Sequence, residues 1–292
     1  MCDKHTTAEM RAILKKRGLT RRKFAAMGTA AALAACAPSG GEASAEPTLT
    51  EANVAIPTED GTADAFFVHP RVGSHPGIIM WPDVAGLRNA YEIMARRLAA
   101  AGYAVLVVNQ YYRSATAPIL NTLSDWFSEK SQARLKPMMA QIDGAATARD
   151  ASAFASWLDG QDAVTKTKKL GTCGYCMGGA FTVRTAAAAP DKVGAACSFH
   201  GAMLVTDEPD SPHRLLKDSQ AAFLFAIAQN DDARAPDDKD ILRKAAADAG
   251  RPAEVEVYPA DHGWCTVDAP SYDKAAAEKA WSRMLAIFDN AL

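Results

Sequence analysis

Several signatures are missing from this sequence, and each absence removes a class of function. No Gly-rich phosphate loop is present, because Gly178-Gly179 follows a cysteine and does not lead into Gly-Lys-Ser/Thr. His5, His69, His75 and His213 stand isolated, and no spacing among them resembles a metal site. Cys197 and Cys265 carry no pairing signal. The alanine-rich run Ala25–Ala35 is too short and too polar to span a bilayer. No internal repeat appears. Positive charge is also lacking outside the N-terminus. Of 32 Lys/Arg, eight fall in residues 1–35, leaving 24 against 32 Asp/Glu, a net of −8 for the remainder. An acidic body argues against nucleic acid as a partner. Nothing in the sequence calls for a cofactor.

What is present begins with an address. Thr20-Arg21-Arg22-Lys23-Phe24 resembles a twin-arginine export signal, and the weakly apolar run after it ends in Leu33-Ala34-Ala35-Cys36, which resembles a lipoprotein cleavage box. The resemblance implies export of a folded protein to the periplasm or cell envelope, with cleavage before Cys36 and a lipid on that cysteine. The alternative is a non-lipidated export substrate cut near residues 43–45. Residues 1–35 thus read as a signal, 36–49 as a small, polar, flexible tether, and 50–292 as the folded domain. Membrane contact is expected only through the lipid.

The domain alternates strands and helices. Asn53–Ile56 and Ala63–His69 flank Glu59-Asp60-Gly61, a hairpin signal. Gly77–Trp81 and Tyr103–Val108 are continuous apolar runs of the kind buried on both faces of a parallel sheet. The pattern predicts a helix over Asn89–Ala101, with Ile93, Ala95, Leu98 and Ala101 inward and Gly102 as its stop. It predicts another over Ile142–Leu158, with Ile142, Ala145, Ala146, Phe154, Trp157 and Leu158 inward. Residues 109–138 read as a long irregular loop or lid. Further strands are expected at Val193–Phe199, Ala222–Ala228 and Ala253–Tyr258, with helices at Asp238–Ala249 and Tyr272–Asn290. The 49% hydrophobic content suits one large core, and the alternation implies an α/β fold, a doubly wound, mostly parallel sheet with helices on both faces.

Chemistry concentrates at one stretch. Lys168–Tyr175 reads as a strand, Met177–Arg184 as a helix, and between them lies Gly174-Tyr175-Cys176-Met177-Gly178. This small-x-Cys-x-small pattern is that of a nucleophile elbow of an α/β-hydrolase, with cysteine where serine is commoner. The turn is so tight that its flanking positions must be small. The Met177 N–H, at a helix N-terminus, then points toward a developing oxyanion. In such a sheet, catalytic groups gather at the carboxyl ends of the strands. Two later strands run into Gln229-Asn230-Asp231-Asp232 and Asp261-His262-Gly263. The order Cys, Asp, His suits a triad in which His262 raises the thiolate fraction of Cys176 and an acid fixes the His tautomer. Asp231 falls where the acid should be. Asp232 is the competitor, or instead caps the next helix or meets Arg234. Bland readings stand beside these, namely an inert buried thiol at a strand–helix turn and a capping His262. His200 either faces the pocket edge or is a loop histidine held by backbone groups, and Cys265 either lines the site or fills space.

Residues 50–290 resemble the dienelactone hydrolase family. The resemblance rests on Gly174-Tyr175-Cys176-Met177-Gly178-Gly179, Pro82-Asp83-Val84-Ala85-Gly86-Leu87, Asn109-Gln110-Tyr111-Tyr112-Arg113 and Asp261-His262-Gly263. It implies hydrolysis of a lactone or activated ester, of carboxymethylenebutenolidase type, through an acyl-thiol intermediate on Cys176. Asp231 and His262 are the implied partners, and the backbone N–H groups of Met177 and Val84 the oxyanion hole. The family has Glu where Asp83 stands. The shorter side chain either reaches the resting thiol through water or merely orders its loop. Arg113 matches an arginine that binds a substrate carboxylate, but Thr266 stands where a second would lie, so half the clamp is missing. A neutral or differently charged small-molecule ester is expected. Thiolate chemistry points the same way. An ordinary ester adduct tends to expel sulfur and revert, whereas an enol ester or thioester has a leaving group good enough to win. Readings of another class are a non-catalytic binder on a hydrolase scaffold and a redox protein using Cys173-Gly174-Tyr175-Cys176. The sequence does not reach the oligomeric state.

Overall fold

The computed structural model describes residues 47–292 and the isolated position Ala12. The export signal, Cys36 and most of the tether lie outside the described residues. Eight strands form one sheet: β1 (Leu49–Thr58), β2 (Gly61–Pro70), β3 (Gly77–Trp81), β4 (Ala104–Val108), β5 (Leu170–Tyr175), β6 (Val193–Phe199), β7 (Ala222–Ala228) and β8 (Ala253–Tyr258). Their spatial order is β1-β2-β4-β3-β5-β6-β7-β8. The hairpin β1–β2 is antiparallel and joins β4 antiparallel, and the remaining pairings are parallel. Chain order doubles back at β4 and β3 and then steps outward from β5, so the strand ends beside β3 and β5 form the natural cleft.

Among residues 47–292 eight α-helices accompany the sheet: α1 (Asn89–Ala100), α2 (Glu129–Met139), α3 (Gly144–Asp159), α4 (Met177–Ala188), α5 (Pro212–Leu215), α6 (Gln229–Arg234), α7 (Asp238–Asp248) and α8 (Lys274–Ala291). Helices α1 and α8 cover one face of the sheet, where Tyr91, Leu98, Met284 and Phe288 meet Ile78, Met80, Val105 and Cys197. Helices α3, α4 and α7 cover the other, where Phe154, Leu158, Phe181 and Leu242 meet Ile79, Trp81, Leu106 and Phe225. Every residue of β3 and β4 is therefore buried, which is why those strands read as unbroken apolar runs.

Three expectations need correction. Residues 109–138 are not wholly irregular, because a single-turn helix at Leu123–Phe127 precedes α2. Helix α2 carries Pro137 in its last turn and buries only Leu135, Met138 and Met139, so neither periodicity nor composition announced it. In α1 the inward face is Tyr91, Ala95, Leu98 and Ala99, while Ile93 is half-buried and Ala101 exposed. In α3, Ala145 is exposed, and the buried positions include the polar Thr147 and Asp150.

Candidate active site

The sharp turn at Cys176 follows from what crowds it. Its backbone sits at φ 55°, ψ −119°, between the end of β5 and the start of α4. A Cβ added at Gly174 would lie 2.1 Å from the Gly178 carbonyl oxygen, and one at Gly178 would lie 2.4 Å from the Trp81 carbonyl oxygen. Both positions therefore exclude any side chain, and the elbow nests against the end of β3. Hydrogen bonds overdetermine the strained conformation. The Cys176 N–H is shared between Phe199 O and His200 Nδ1, each 3.1 Å away. Its carbonyl accepts the N–H groups of Gly179 and Ala202, each at 3.0 Å.

His262 arrives on the loop after β8. Its Nδ1 lies 2.6 Å from Asp231 Oδ2. The loop is pinned by His262 N–H to Asn230 Oδ1 (2.8 Å) and by Ser271 Oγ–H to His262 O (2.6 Å). The imidazole also hydrogen-bonds Cys176. Burial works against a charged ring. The Asp231 carboxylate and then Cys176 outweigh it and raise His262 to about 10. Asp231 comes from α6 and is also paired to Arg234, whereas Asp232 turns to Lys239 Nζ at 2.7 Å. Of the two candidate acids, Asp231 is the one beside the imidazole.

Val84 sits in the loop after β3. That loop is held by Ala85 N–H to Asp83 Oδ1 (2.8 Å), Gly86 N–H to Asp83 O (3.0 Å) and Gln110 Nε2–H to Asp83 O (2.7 Å). The Tyr111 hydroxyl donates to Val84 O at 2.8 Å and lies 3.4 Å from Met177 Sδ, tying this loop to the start of α4. Among the described residues, neither the Val84 N–H nor the Met177 N–H donates a hydrogen bond to a protein acceptor.

Of the two readings of Asp83, the hydrogen bonds of its carboxylate support the loop-ordering one. Arg88 takes both its oxygens, at 2.7 and 2.9 Å, and so the shorter side chain orders the loop. Arg88 is wholly buried. It also donates to Asp268 at 2.8 and 2.7 Å and to Gly86 O at 3.1 Å, which occupies all five of its N–H groups. Burial works against the guanidinium, but Asp268 and Asp83 together keep it protonated. Burial pushes the Asp83 carboxyl above its ordinary range despite Arg88.

Arg113 is likewise engaged elsewhere. Its guanidinium binds Asp150 through Nη1 and Nη2, both at 2.8 Å, and Asp60 through Nη2 at 2.6 Å and Nε at 3.1 Å. The structure thus brings together Cys176, His262, Asp231, Val84 and Met177, and ties Arg113 to the β1–β2 turn and α3. Arg88 and Asp268 escaped the sequence reading. A lone arginine ahead of a helix looks solvent-facing, and its second carboxylate lies 180 residues away. Cys173 is sealed in the core, where burial pushes its thiol up to about 12, and no disulfide joins it to Cys176. That environment does not suit Cys173 to thiol–disulfide exchange. Among the described residues no group of His, Cys, Asp or Glu could hold a metal, and no helix is long and apolar enough to cross a membrane.

Residues 63–292 match the sequence profile of the "Dienelactone hydrolase family". A protein of Methylorubrum extorquens, provisionally named a carboxymethylenebutenolidase, is 28% identical over 291 residues, covering 95% of each chain. A carboxymethylenebutenolidase of Rhodococcus opacus is 25% identical over 258 residues, 86% of this chain and 96% of its own. In three dimensions, the crystal structure of a provisionally named dienelactone hydrolase from Klebsiella pneumoniae superposes with a TM-score of 0.71 at 24% identity, over 83% of this chain and 99% of that one. The chain has the α/β-hydrolase fold, and it belongs to the dienelactone hydrolase family of hydrolases.

Proposed function

We propose that this hydrolase cleaves lactones or activated esters through an acyl-thiol intermediate on Cys176. The observation that carries the reading is the relay Asp231–His262–Cys176, with Nδ1 held at 2.6 Å by the acid and the ring hydrogen-bonded to the thiol. In the resting site the thiol proton resides on His262, leaving thiolate against imidazolium. The thiolate attacks the acyl carbon, and the displaced carbonyl electrons collect on an oxygen held by the Val84 and Met177 N–H groups. Collapse breaks the bond to the alkoxide or enolate leaving group, which takes the imidazolium proton. Acylation removes the sulfur's negative charge and its hydrogen bond, two of the influences that raise His262. The neutral imidazole then accepts a proton from water, hydroxide adds to the thioester, and Cys176 departs as thiolate. Asp231 holds the tautomer throughout.

The acyl group is read as uncharged. Arg88 and Arg113 each spend their donors on two aspartates, and Thr266 stands at the other clamp position. A substrate carboxylate would meet guanidinium groups whose donors are already taken. Burst kinetics with a neutral aryl ester test the mechanism. We expect an acyl adduct on Cys176 in the wild type, and turnover lowered by three or more orders of magnitude in Cys176→Ala and His262→Ala, on the order of the losses seen when a triad member is removed. Undiminished hydrolysis by Cys176→Ala would falsify it. We further propose export by the twin-arginine route with Cys36 lipidated. Fractionation of Arg21→Lys/Arg22→Lys and Cys36→Ala chains tests this. Unchanged localisation of both would exclude it.

A further inference from the structure

His200 is a second buried imidazole in the site, and the acylation scheme does not use it. It directly follows β6 in the left-handed region, at φ 38°, with its own N–H tied to Ala226 O at 2.8 Å. Its ring lies edge-on to the His262 ring at 4.6 Å and to Trp264 at 5.2 Å, with Tyr175 at 6.2 Å. Nδ1 accepts the Cys176 N–H, so the ring proton sits on Nε2. That Nε2 is buried without a partner. The titratable groups facing the ring are His262 from the loop after β8 and Cys176 on the elbow, with Tyr175 on β5 behind it. Burial, reinforced by the charge of His262, keeps His200 uncharged. A neutral ring with its one lone pair already committed cannot serve as a general base. A phenyl ring would fill the same space without burying an unpaired N–H, so packing alone does not account for a histidine here.

His200 touches both reacting side chains' supports, the nucleophile's amide by a hydrogen bond and the base's ring by its edge. We propose that His200 is a positioning residue, whose Nδ1 locks the Cys176 backbone so that the sulfur stays against His262. The proposal rests on Cys176 as the nucleophile.

Two substitutions separate the nitrogens. In His200→Asn, Oδ1 replaces the Nδ1 acceptor. In His200→Gln, the amide reaches the Nε2 position and the Nδ1 acceptor is lost, and His200→Phe removes both. The full chain is assayed for aryl-ester hydrolysis and for the pH dependence of Cys176 alkylation by iodoacetamide, with folding checked by thermal melts. We expect His200→Asn to keep kcat within about threefold. His200→Gln and His200→Phe should lose tenfold or more in kcat with KM within about twofold, and their alkylation midpoint should rise by roughly one pH unit or more toward that of an ordinary thiol. Wild-type kinetics and alkylation in His200→Gln and His200→Phe overturn the proposal. So does equal impairment of His200→Asn and His200→Gln, or a loss of kcat with an unmoved alkylation profile, since these are marks of a space-filling ring. A wild-type Cys176 that is neither acylated by ester nor alkylated below pH 7 overturns the nucleophile assignment itself, and this proposal with it.

Discussion

Asp231 and Asp232 are adjacent and chemically identical, and their surroundings alone separate them. One faces His262 across 2.6 Å and the other faces Lys239. Asp231→Asn offers the imidazole the wrong partner, and kcat is expected to fall by about 10² to 10⁴-fold, as when a triad acid is neutralised. Asp232→Asn is expected to stay within about twofold, since it removes only a partly exposed ion pair. Steady-state kinetics of the two variants decide the assignment, and inverted results would reassign the acid. His262 also links stability to pH. Folded, it keeps its proton up to about 10, whereas the unfolded chain loses it near ~6.5. The proton therefore stabilises the fold fully below about pH 6.5, and the contribution fades as pH climbs toward 10. The excess urea midpoint of the wild type over His262→Gln should shrink across that window. A gap that widened instead would show that the ring folds uncharged.

At the scale of elements, the elbow depends on bare backbone meeting bare backbone. Gly178→Ala would put a methyl 2.4 Å from the Trp81 carbonyl oxygen, and no flexible side chain stands between them to yield. The start of α4 must then move away from β3, separating the Met177 and Val84 amides. Unfolding free energy is expected to fall by about 1–3 kcal/mol, the usual cost of overpacking, and esterase activity to fall with it. Retained activity in a stable Gly178→Ala protein would show that the two amides need not converge. The turn of the β1–β2 hairpin is tied to α3 through Arg113, which bridges Asp60 to Asp150, beside the Arg149–Asp60 pair. Arg113→Met is expected to cost about 2–3 kcal/mol of stability, in the range of charged hydrogen bonds lost on one side, while KM for a neutral ester holds. A raised KM with intact stability would restore the substrate-binding role implied by the family resemblance.

Across the whole molecule, one buried ion network joins segments far apart in the chain. Asp83 after β3, Arg88 before α1 and Asp268 after β8 share a guanidinium, and Asp268 also accepts the Leu123 N–H at 3.1 Å from the turn preceding α2. The loop that carries Val84 is thereby fixed to the loop that carries His262. Asp268→Asn leaves Arg88 buried with one carboxylate instead of two. A loss of about 3–5 kcal/mol is expected, typical of a broken buried pair, measurable as a drop in urea midpoint. A change under 1 kcal/mol would mean that Asp83 alone suffices for the guanidinium.

The chain order of the strands and of the long helices packed on the sheet, the elbow and the acid and histidine turns could be read directly from the sequence, because each is local. Parallel strands buried on both faces are continuous apolar runs, and the crowding at Cys176 demands glycine on either side of it. Helix α2 was hidden because most of its residues face solvent and its proline argues against it. The inward face of α1 differs from the spacing pattern because Tyr91 packs on Tyr175 of β5, a contact with no echo in spacing. The sequence alone singled out Cys176 and His262 as the candidate nucleophile and base and left a choice of two acids. Only the tertiary structure put Asp231 rather than Asp232 beside the imidazole, tied up Arg113 and Asp83, and set His200 against Cys176 and His262. Those outcomes depend on which polar groups meet across 5 to 180 residues of chain, where burial sets the strength of each pair.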